Sequence, residues 1–343
     1  MSTDEGKSGA QTLESVGPKD NAATPRSFGQ KAKHFLKRFW WLLVAVTIVI
    51  VLVVVLCVVF VGIPNIAQKA INEASLTLES QVVTFPQPDS IHVMMNTTVT
   101  NPSSYHPQLY SFQAALFLED TEPDIKPFGY IEIPAAKAES TFSSIINQQM
   151  NITDQEQFAR YNQLVLSSET YRVALRGRIP LKEGGLPKTT VNFNHVVESK
   201  GLNNLQGFEI QNISISLVAE ADGTNMRAQA FIPNPSPITI EMGTVTQNVY
   251  VGNNMIAVAT LPELVLKPGD NLVNLTSVAN QTMVLSLITT QYQDAKLPVR
   301  IVGNNSTANG QDLPYFTAAL KAQTLETTLD LGPALKAAGI TLK

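Results

Sequence analysis

The sequence predicts a mainly β protein, with an N-terminal transmembrane helix followed by two tandem antiparallel β-sandwich domains and a few short flanking helices. Three observations predict this fold class: an uncharged apolar run near the start, a long series of alternating segments after it, and two similar Asn-Pro-Ser units. The predicted parts are a disordered cytosolic tail (1–38), a transmembrane helix (39–63), a first lumenal sandwich (64–205) and a second lumenal sandwich (206–343).

The apolar run extends from Phe39 to Ile63 and contains no charged residue. About 20 helical residues cross a bilayer core of roughly 30 Å, because each residue adds about 1.5 Å. A cleaved signal peptide has a shorter apolar region of about 7–15 residues, and a buried core helix carries a polar stripe. The run therefore favours an uncleaved membrane anchor.

The charges beside the run predict its orientation. Lys and Arg are enriched on the cytosolic side of a span, and Lys69 is the only such residue in the twenty that follow Ile63. We therefore expect a type II protein with a cytosolic N-terminus. The residues of the anchor flank are Lys31, Lys33, Lys37 and Arg38, followed by Trp40 and Trp41 as interfacial aromatic anchors. After residue 38 the chain has 17 basic and 24 acidic residues, an excess that excludes an electrostatic footprint for nucleic acid.

Asn-X-Ser/Thr sites lie only after the span, and their number is about twice that expected from composition. Strand alternation places Asn96, Asn212 and Asn274 on polar faces, opposite apolar neighbours. These observations indicate a glycoprotein domain on the lumenal or extracellular side. The predicted glycosylation sites are Asn96, Asn151, Asn212, Asn274, Asn280, Asn304 and Asn305, of which the adjacent last two are not expected to be modified together.

The single cysteine, Cys57, lies inside the apolar run. The part after the span therefore contains no disulfide, although its compartment permits them. We expect an ordinary hydrophobic core to hold it, which a segment of this length can supply.

Strands dominate the predicted secondary structure after the span. One example alternates clearly, with Val173, Leu175 and Ile179 facing inward and three arginines facing outward. The arginine row is expected to be a solvated sheet face, although it also fits an acidic partner or a lipid headgroup. The predicted strands are 76–84, 90–100, 110–118, 128–133, 171–181, 190–198, 209–218, 225–232, 239–251, 255–261, 271–277, 282–290, 297–302 and 323–331.

One helix has a start signal in the sequence. Thr153 and Glu156 form a capping box, in which each side chain accepts from the backbone of the other residue. Apolar residues then fall on one face at helical spacing, including Phe158 and Tyr161. Shorter helices are expected over 64–75, near 313–316 and over 333–338.

The part after the span has the pattern of two copies of one plan. Asn101-Pro102-Ser103 and Asn234-Pro235-Ser236 each follow a strand, where Pro ends the ladder and Asn accommodates the turn. Each unit is followed by several strands and then by an Arg-bearing strand, at 174–178 and 298–303.

These features resemble the type-2 late-embryogenesis-abundant family, also called the water-stress and hypersensitive-response domain. The chain is most similar to a fungal branch of single-pass membrane proteins of uncharacterised function, through Val61-Gly62-Ile63-Pro64, Gly129-Tyr130-Ile131-Glu132-Ile133-Pro134 and Gly201-Leu202-Asn203-Asn204-Leu205. The resemblance covers residues 64–335. It implies an antiparallel sandwich beside an N-terminal span, binding or transfer of lipid in a groove of the sandwich, and a vacuolar or lysosomal membrane for some relatives.

The sequence contains no recognisable catalytic or metal-binding motif. The histidines, His34, His92, His106 and His195, have no metal-ligand spacing, and no nucleophile elbow, P-loop or HExxH motif occurs. The acidic loop 119–124 lacks EF-hand spacing and is expected to be a solvated turn. We therefore expect no enzyme activity, no cofactor and no metal. A glycan-processing enzyme would require a buried pair of carboxylates that the sequence does not reveal.

Two functions are consistent with the sequence. The first is a membrane-anchored, non-enzymatic module that binds or transfers lipid between inward apolar faces such as Ile91/Val93/Met95 and Phe112/Ala114/Leu116/Leu118, although the same faces would also fill a closed core. The alternative is a structural or interaction protein of the vacuolar membrane or cell surface. The expected partners are the membrane, through one span, and a lipid. The length of the apolar run suits a thick membrane, vacuolar or plasma.

Overall fold

The computed structural model describes residues 28–340, with side chains described from Trp40 to Ile340. The chain divides at Val58 into two compact units. The first unit contains helix α1 (Phe28–Cys57), and a π-helical stretch (Val58–Gly62) and helix α2 (Ile63–Glu73) follow along the chain. Helix α1 therefore begins before Phe39, within the segment 1–38 for which a disordered tail is predicted. Residues 1–27 lie outside the described part of the chain.

Within the described residues, one helical stretch is long and apolar enough to cross a membrane, by length and composition. It runs from Trp40 to Glu73, and its apolar side chains between Trp40 and Val61 are largely exposed. Trp40 and Trp41 are exposed, whereas the side chains of Lys31, Lys33, Lys37 and Arg38 are outside the described set.

The protein is mostly β, with 51% strand and 26% helix, and its sheets form sandwich-like domains with a few short helices, which confirms the predicted fold class. The strands are β1 (Ser75–Gln87), β2 (Ser90–Thr100), β3 (Gln108–Leu109), β4 (Phe112–Leu118), β5 (Gly129–Ile133), β6 (Ala136–Lys137), β7 (Thr141–Asn151), β8 (Thr170–Lys182), β9 (Thr189–Lys200), β10 (Glu209–Ile215), β11 (Met226–Asn234), β12 (Ile238–Val251), β13 (Asn254–Leu266), β14 (Gly269–Ala279), β15 (Lys296–Ala308), β16 (Gln311–Asp312) and β17 (Thr324–Asp330). The remaining helices are α3 (Gln155–Ser167), α4 (Gln281–Thr290), α5 (Pro314–Lys321) and α6 (Gly332–Ala337).

The strands form two sheets. The larger has 11 strands and follows the order β10-β11-β14-β13-β12-β1-β2-β7, with β15 beside β12 and β16 and β17 beside β15. The smaller has 6 strands in the order β5-β4-β8-β3-β6, with β9 beside β8. Strand β1 runs parallel to β12 and joins strands from both sides of the predicted 205/206 boundary in one sheet.

The order of strand pairings is repeated along the chain. In residues 75–200, the first repeat, β1 pairs β2, β2 pairs β7, β4 pairs β5 and β8, and β8 pairs β9. In residues 209–330, the second repeat, the same relations join β10 to β11, β11 to β14, β12 to β13 and β15, and β15 to β17. Helix α3 follows β7 as α4 follows β14. The pairing therefore bears out two copies of one plan.

The Asn-Pro-Ser units form the same turn in both repeats. The side-chain amide of Asn101 donates to the Tyr105 carbonyl at 2.9 Å, and its Oδ1 accepts from the Ser103 amide at 3.1 Å. Asn234 donates to the carbonyl of Ile238 at 2.8 Å and accepts from the Ser236 amide at 2.9 Å. Each buried Asn thus supplies the turn with hydrogen bonds that the proline-interrupted backbone lacks.

Several elements differ from the sequence prediction. Residues 282–290, predicted as a strand, form most of helix α4, because Asn280 caps it by accepting from the Met283 amide at 3.1 Å. Strand β7 and the two-residue strands β3, β6 and β16 have no counterpart among the predicted strands.

Helix α3 is present with its predicted apolar face buried, but its start is shifted by one residue. The cap is Asp154, which accepts from the Gln157 amide at 3.0 Å, whereas Thr153 donates to the Pro127 carbonyl. The prediction of Thr153 as the cap is therefore wrong.

The paired turns predict the effect of removing one of them. Asn234→Ala leaves the Ser236 amide and the Ile238 carbonyl without their buried partner, so we expect a loss of about 1–3 kcal/mol in the free energy of unfolding. Urea denaturation of the detergent-solubilised full chain, followed by circular dichroism, measures it. The exposed control Asn147→Ala is expected to change stability by less than about 0.5 kcal/mol. Equal effects of the two variants would contradict this account of the turn.

Candidate ligand-binding cavity

An apolar cavity of about 150 Å³ lies between the two sheets of the first repeat. Strands β1, β2 and β7 form one wall and β4, β8 and β9 the other, while α2 and α3 contribute side chains at its ends. The described residues that line it include no Lys, Arg, Asp or Glu. The lining is therefore suited to an apolar occupant.

Strand register explains why the walls are apolar. Directly paired residues project to the same face, so Leu76, Val99 and Phe142 form one row across β1, β2 and β7. On the other wall, Leu116 and Leu175 form a row of the same kind. The predicted inward faces are confirmed: Ile91, Val93, Met95, Phe112 and Leu116 line the cavity, and Ala114 and Leu118 are buried in the core.

Helix α2 closes the space beside β9 with Ala67, Ala70 and Ile71, of which the two alanines are small. Ala67 and Ala70 line the cavity and are buried. Gln68, between them, donates to the Asn192 carbonyl and accepts from the Asn192 amide, both at 2.8 Å. These two bonds satisfy the otherwise free edge of β9 and fix α2 against it. Because alanine has little volume, this closure leaves space between the sheets.

Aromatic side chains surround the end of the cavity near α3. The Phe128 and Tyr161 rings stack with centroids 5.0 Å apart, and Tyr161 meets Tyr171 edge to face at 5.8 Å. The Tyr161 hydroxyl accepts from Nε2 of Gln81 at 3.4 Å. Burial raises the pKa of Tyr161 and raises that of Tyr171 further, so both hydroxyls stay protonated.

Four buried polar atoms of the lining residues have no hydrogen-bond partner in the described structure: Tyr105 Oη, Ser144 Oγ, His195 Nε2 and Ser199 Oγ. Buried polar groups in folded proteins are almost always paired, so such a group indicates a missing partner. Ser199 lies opposite Tyr171, whose pKa is raised chiefly by burial and lowered in part by a hydrogen bond with Ser199, so the Ser199 hydroxyl has a neighbour. Tyr105, Ser144 and His195 are the other three lining residues with such an atom.

The state of His195 follows from its surroundings. Burial lowers the pKa of its imidazole, and the backbone of Ile71 opposes this effect in part. The imidazole is therefore neutral at pH 7, and Nε2 can donate or accept according to its tautomer.

The second repeat contains a smaller cavity, of about 60 Å³, between its own strands. Leu331 and Leu335 near α6, together with Val284 and Leu285 of α4, occupy space at its margin. Alanines line both cavities, and in the second repeat they are Ala257, Ala259 and Ala279. The smaller volume there coincides with the aliphatic side chains from α4 and from the α6 region.

Three of the four acidic residues in the loop 119–124 pair with arginines. Glu119 pairs with Arg172 at 2.8 Å, and Asp120 with Arg160 at 2.7 Å. Glu122 pairs with Arg176 at 2.5 Å. Within the part of the chain that was described, no group of three or more His, Cys, Asp or Glu side chains is arranged to hold a metal. Two of the outward arginines are therefore engaged within the protein.

The predicted glycosylation sites differ in accessibility. Exposed positions are Asn151, Asn212, Asn274, Asn280 and Asn304, whereas Asn96 and Asn305 are half-buried. The Asn305 amide donates to Asp312 at 2.9 Å, which leaves Asn304 the more accessible of the adjacent pair. Glycosylation at these residues stays a prediction.

Comparison with known proteins gives one family match and distant structural similarities. A model described as "Protein of unknown function (DUF3712)" matches residues 126–249, from β5 into β12. No match is found among curated proteins.

Similar solved structures include red sea bream transglutaminase, at 12% identity and a TM-score of 0.22 over 74% of this chain and 31% of the transglutaminase. An adhesin from Mobiluncus mulieris is 7% identical with a TM-score of 0.21, over 73% of this chain and 83% of the adhesin. The E. coli chaperone DraB is 11% identical with a TM-score of 0.19, over 75% of this chain and 98% of DraB. This chain thus spans under a third of the length of the transglutaminase.

The unpaired hydroxyl of Tyr105 gives a stability test. In ligand-free protein, Tyr105→Phe removes a buried oxygen that has no partner, so the free energy of unfolding is expected to stay constant or rise. The matched control is Tyr315→Phe, which removes a hydroxyl that donates to the Gln87 carbonyl at 3.0 Å and is expected to cost about 0.5–1.5 kcal/mol. Urea denaturation of the delipidated full chain compares them. A larger loss for Tyr105→Phe would mean that its hydroxyl is already paired.

Proposed function

We propose that this chain is a membrane-anchored, non-enzymatic module that binds the apolar chain of a lipid in the first-repeat cavity. The observation that carries the proposal is the cavity of about 150 Å³ with apolar walls and no charged lining residue. Apolar cavities of about this volume stay free of water and bind small apolar molecules. The resemblance to the type-2 late-embryogenesis-abundant family, which implies a lipid groove in the sandwich, is consistent with it.

The energetic argument supports an occupant over an empty core. An unfilled cavity destabilises a protein by about 24 cal/mol per Å³, so about 150 Å³ corresponds to roughly 3–4 kcal/mol. Each methylene that enters contributes about 0.8 kcal/mol. A bound alkyl segment would therefore offset the loss of folding free energy that the unfilled cavity causes.

The proposal includes a position for the module. The apolar run would act as an uncleaved type II anchor, with the β-rich part in a lumen or outside the cell. Its length favours a thick membrane, vacuolar or plasma. Chain connectivity supports delivery of a ligand from the membrane, because Ala67 follows Ile63, the end of the predicted span, by only four residues.

Photolabelling tests the proposal. The full chain in phosphatidylcholine nanodiscs is irradiated with an octane that carries a diazirine, and labelled peptides are quantified by mass spectrometry. We expect labelling of β2 and β7 peptides, normalised to labelling of the apolar helix, which corrects for partitioning of the probe into the bilayer. Ala70→Phe, which fills the cavity from α2, is expected to lower the normalised signal about tenfold.

The matched control is Ile66→Phe on the same helix, where the side chain is 57% exposed and labelling is expected to stay unchanged. A wild-type protein that labels only in the apolar helix would refute lipid-chain binding in the cavity.

A further inference from the structure

Three residues that line the cavity each have a buried polar atom without a hydrogen-bond partner in the described structure. Tyr105 Oη, Ser144 Oγ and His195 Nε2 come from three separate elements: the turn after β2, strand β7 and strand β9. All three residues line the same cavity, and all three atoms are buried. Three unpaired groups among otherwise apolar side chains indicate a ligand with a polar group, because a wholly apolar ligand would leave all three without a hydrogen-bond partner.

We infer that the cavity selects an uncharged lipid whose head offers a hydroxyl or carbonyl oxygen, and that it rejects heads with a net charge. This inference rests on the proposed lipid binding and adds the ligand class. Two of the three protein groups are hydroxyls, which both donate and accept, and the neutral imidazole can do either. Alcohol and ester heads, as in fatty alcohols and acylglycerols, have the matching donors and acceptors.

The lack of charge in the lining argues against an ionic head. No Lys or Arg occurs among the described lining residues, so a carboxylate, sulfonate or phosphate would be buried without a cation. The Glu183 carboxylate lies near the Tyr105 hydroxyl and has a buried, unpaired Oε2, which adds negative potential there. Glu183 does not line the cavity, so an ammonium head inside would form no direct ion pair with it and would lose its hydration.

The test extends the photolabelling experiment with matched heads. Wild-type full chain in nanodiscs receives diazirine probes with the same octyl chain: octane, 1-octanol, octyl sulfonate and octyltrimethylammonium. Cavity labelling is again normalised to the apolar helix. We expect octanol to exceed octane by about three- to tenfold, and to exceed both charged probes by about tenfold or more.

Hydroxyl deletion then locates the preference. Ser144→Ala is expected to reduce the octanol-to-octane labelling ratio by about threefold or more, since the ratio cancels any change in binding of the octyl chain. The control is Ser143→Ala, the exposed neighbour on the opposite face of β7, for which the ratio should stay at the wild-type value.

The outcomes separate the two claims. Labelling by octane without preference for octanol, or labelling by a charged probe equal to that by octanol, overturns the ligand class but leaves lipid-chain binding standing. Absence of cavity labelling by every probe overturns both. A wild-type octanol-to-octane labelling ratio in the Ser144→Ala/Tyr105→Phe double variant would show that these hydroxyls do not bind the polar group of the ligand, and would overturn the inference.

Discussion

The attachment of α2 to the free edge of β9 determines the character of the first repeat. Two hydrogen bonds between the Gln68 side chain and the Asn192 backbone hold the helix in place, and its alanines face the space between the sheets. Had the helix presented leucines there, the same walls would have enclosed a filled core. The cavity and the proposed ligand both depend on this closure, in which two of the side chains from α2 are alanines.

The two repeats share one order of strand pairings but enclose cavities of different volume. Both contain a turn held by the side chain of a buried Asn, and both have the same order of strand pairings. In both, a capped helix precedes the Arg-bearing strand. They differ in what fills the space between the strands: α2 supplies Ala67 and Ala70 in the first repeat, and Leu335 of α6 lies at the cavity of the second. The parallel pair β1–β12 links the repeats within one sheet. The larger cavity therefore lies in the first repeat, which is where lipid binding is proposed.

Much of the fold follows from local patterns in the sequence. Alternation is a property of consecutive residues, so it identified the inward faces of β2 and β4 and the outward arginines of β8. Helical spacing likewise identified the buried face of α3. The β-branched and aliphatic residues of α4 have no clear period and favour a strand, whereas Asn280 before them is a residue type that caps helices. The repeat itself contained the missing signal, since α3 occupies the equivalent place in the first copy.

The sequence does not predict the cavity, for a physical reason. A closed core and an open cavity have the same alternation of apolar residues, and the difference is a volume set by contacts between distant elements. The ligand contacts proposed for Tyr105, Ser144 and His195 rest on the lack of hydrogen-bond partners in the described structure, and no spacing along the chain encodes that lack.

Native mass spectrometry of the full chain, released from detergent after purification from its own membranes, tests the central claim most directly. The account predicts a species heavier than the denatured, delipidated chain by one lipid, retained under gentle activation and lost when Ala70→Phe fills the cavity. A wild-type chain that carries no bound lipid under conditions that preserve its fold, and that acquires none when lipid is added, would contradict it.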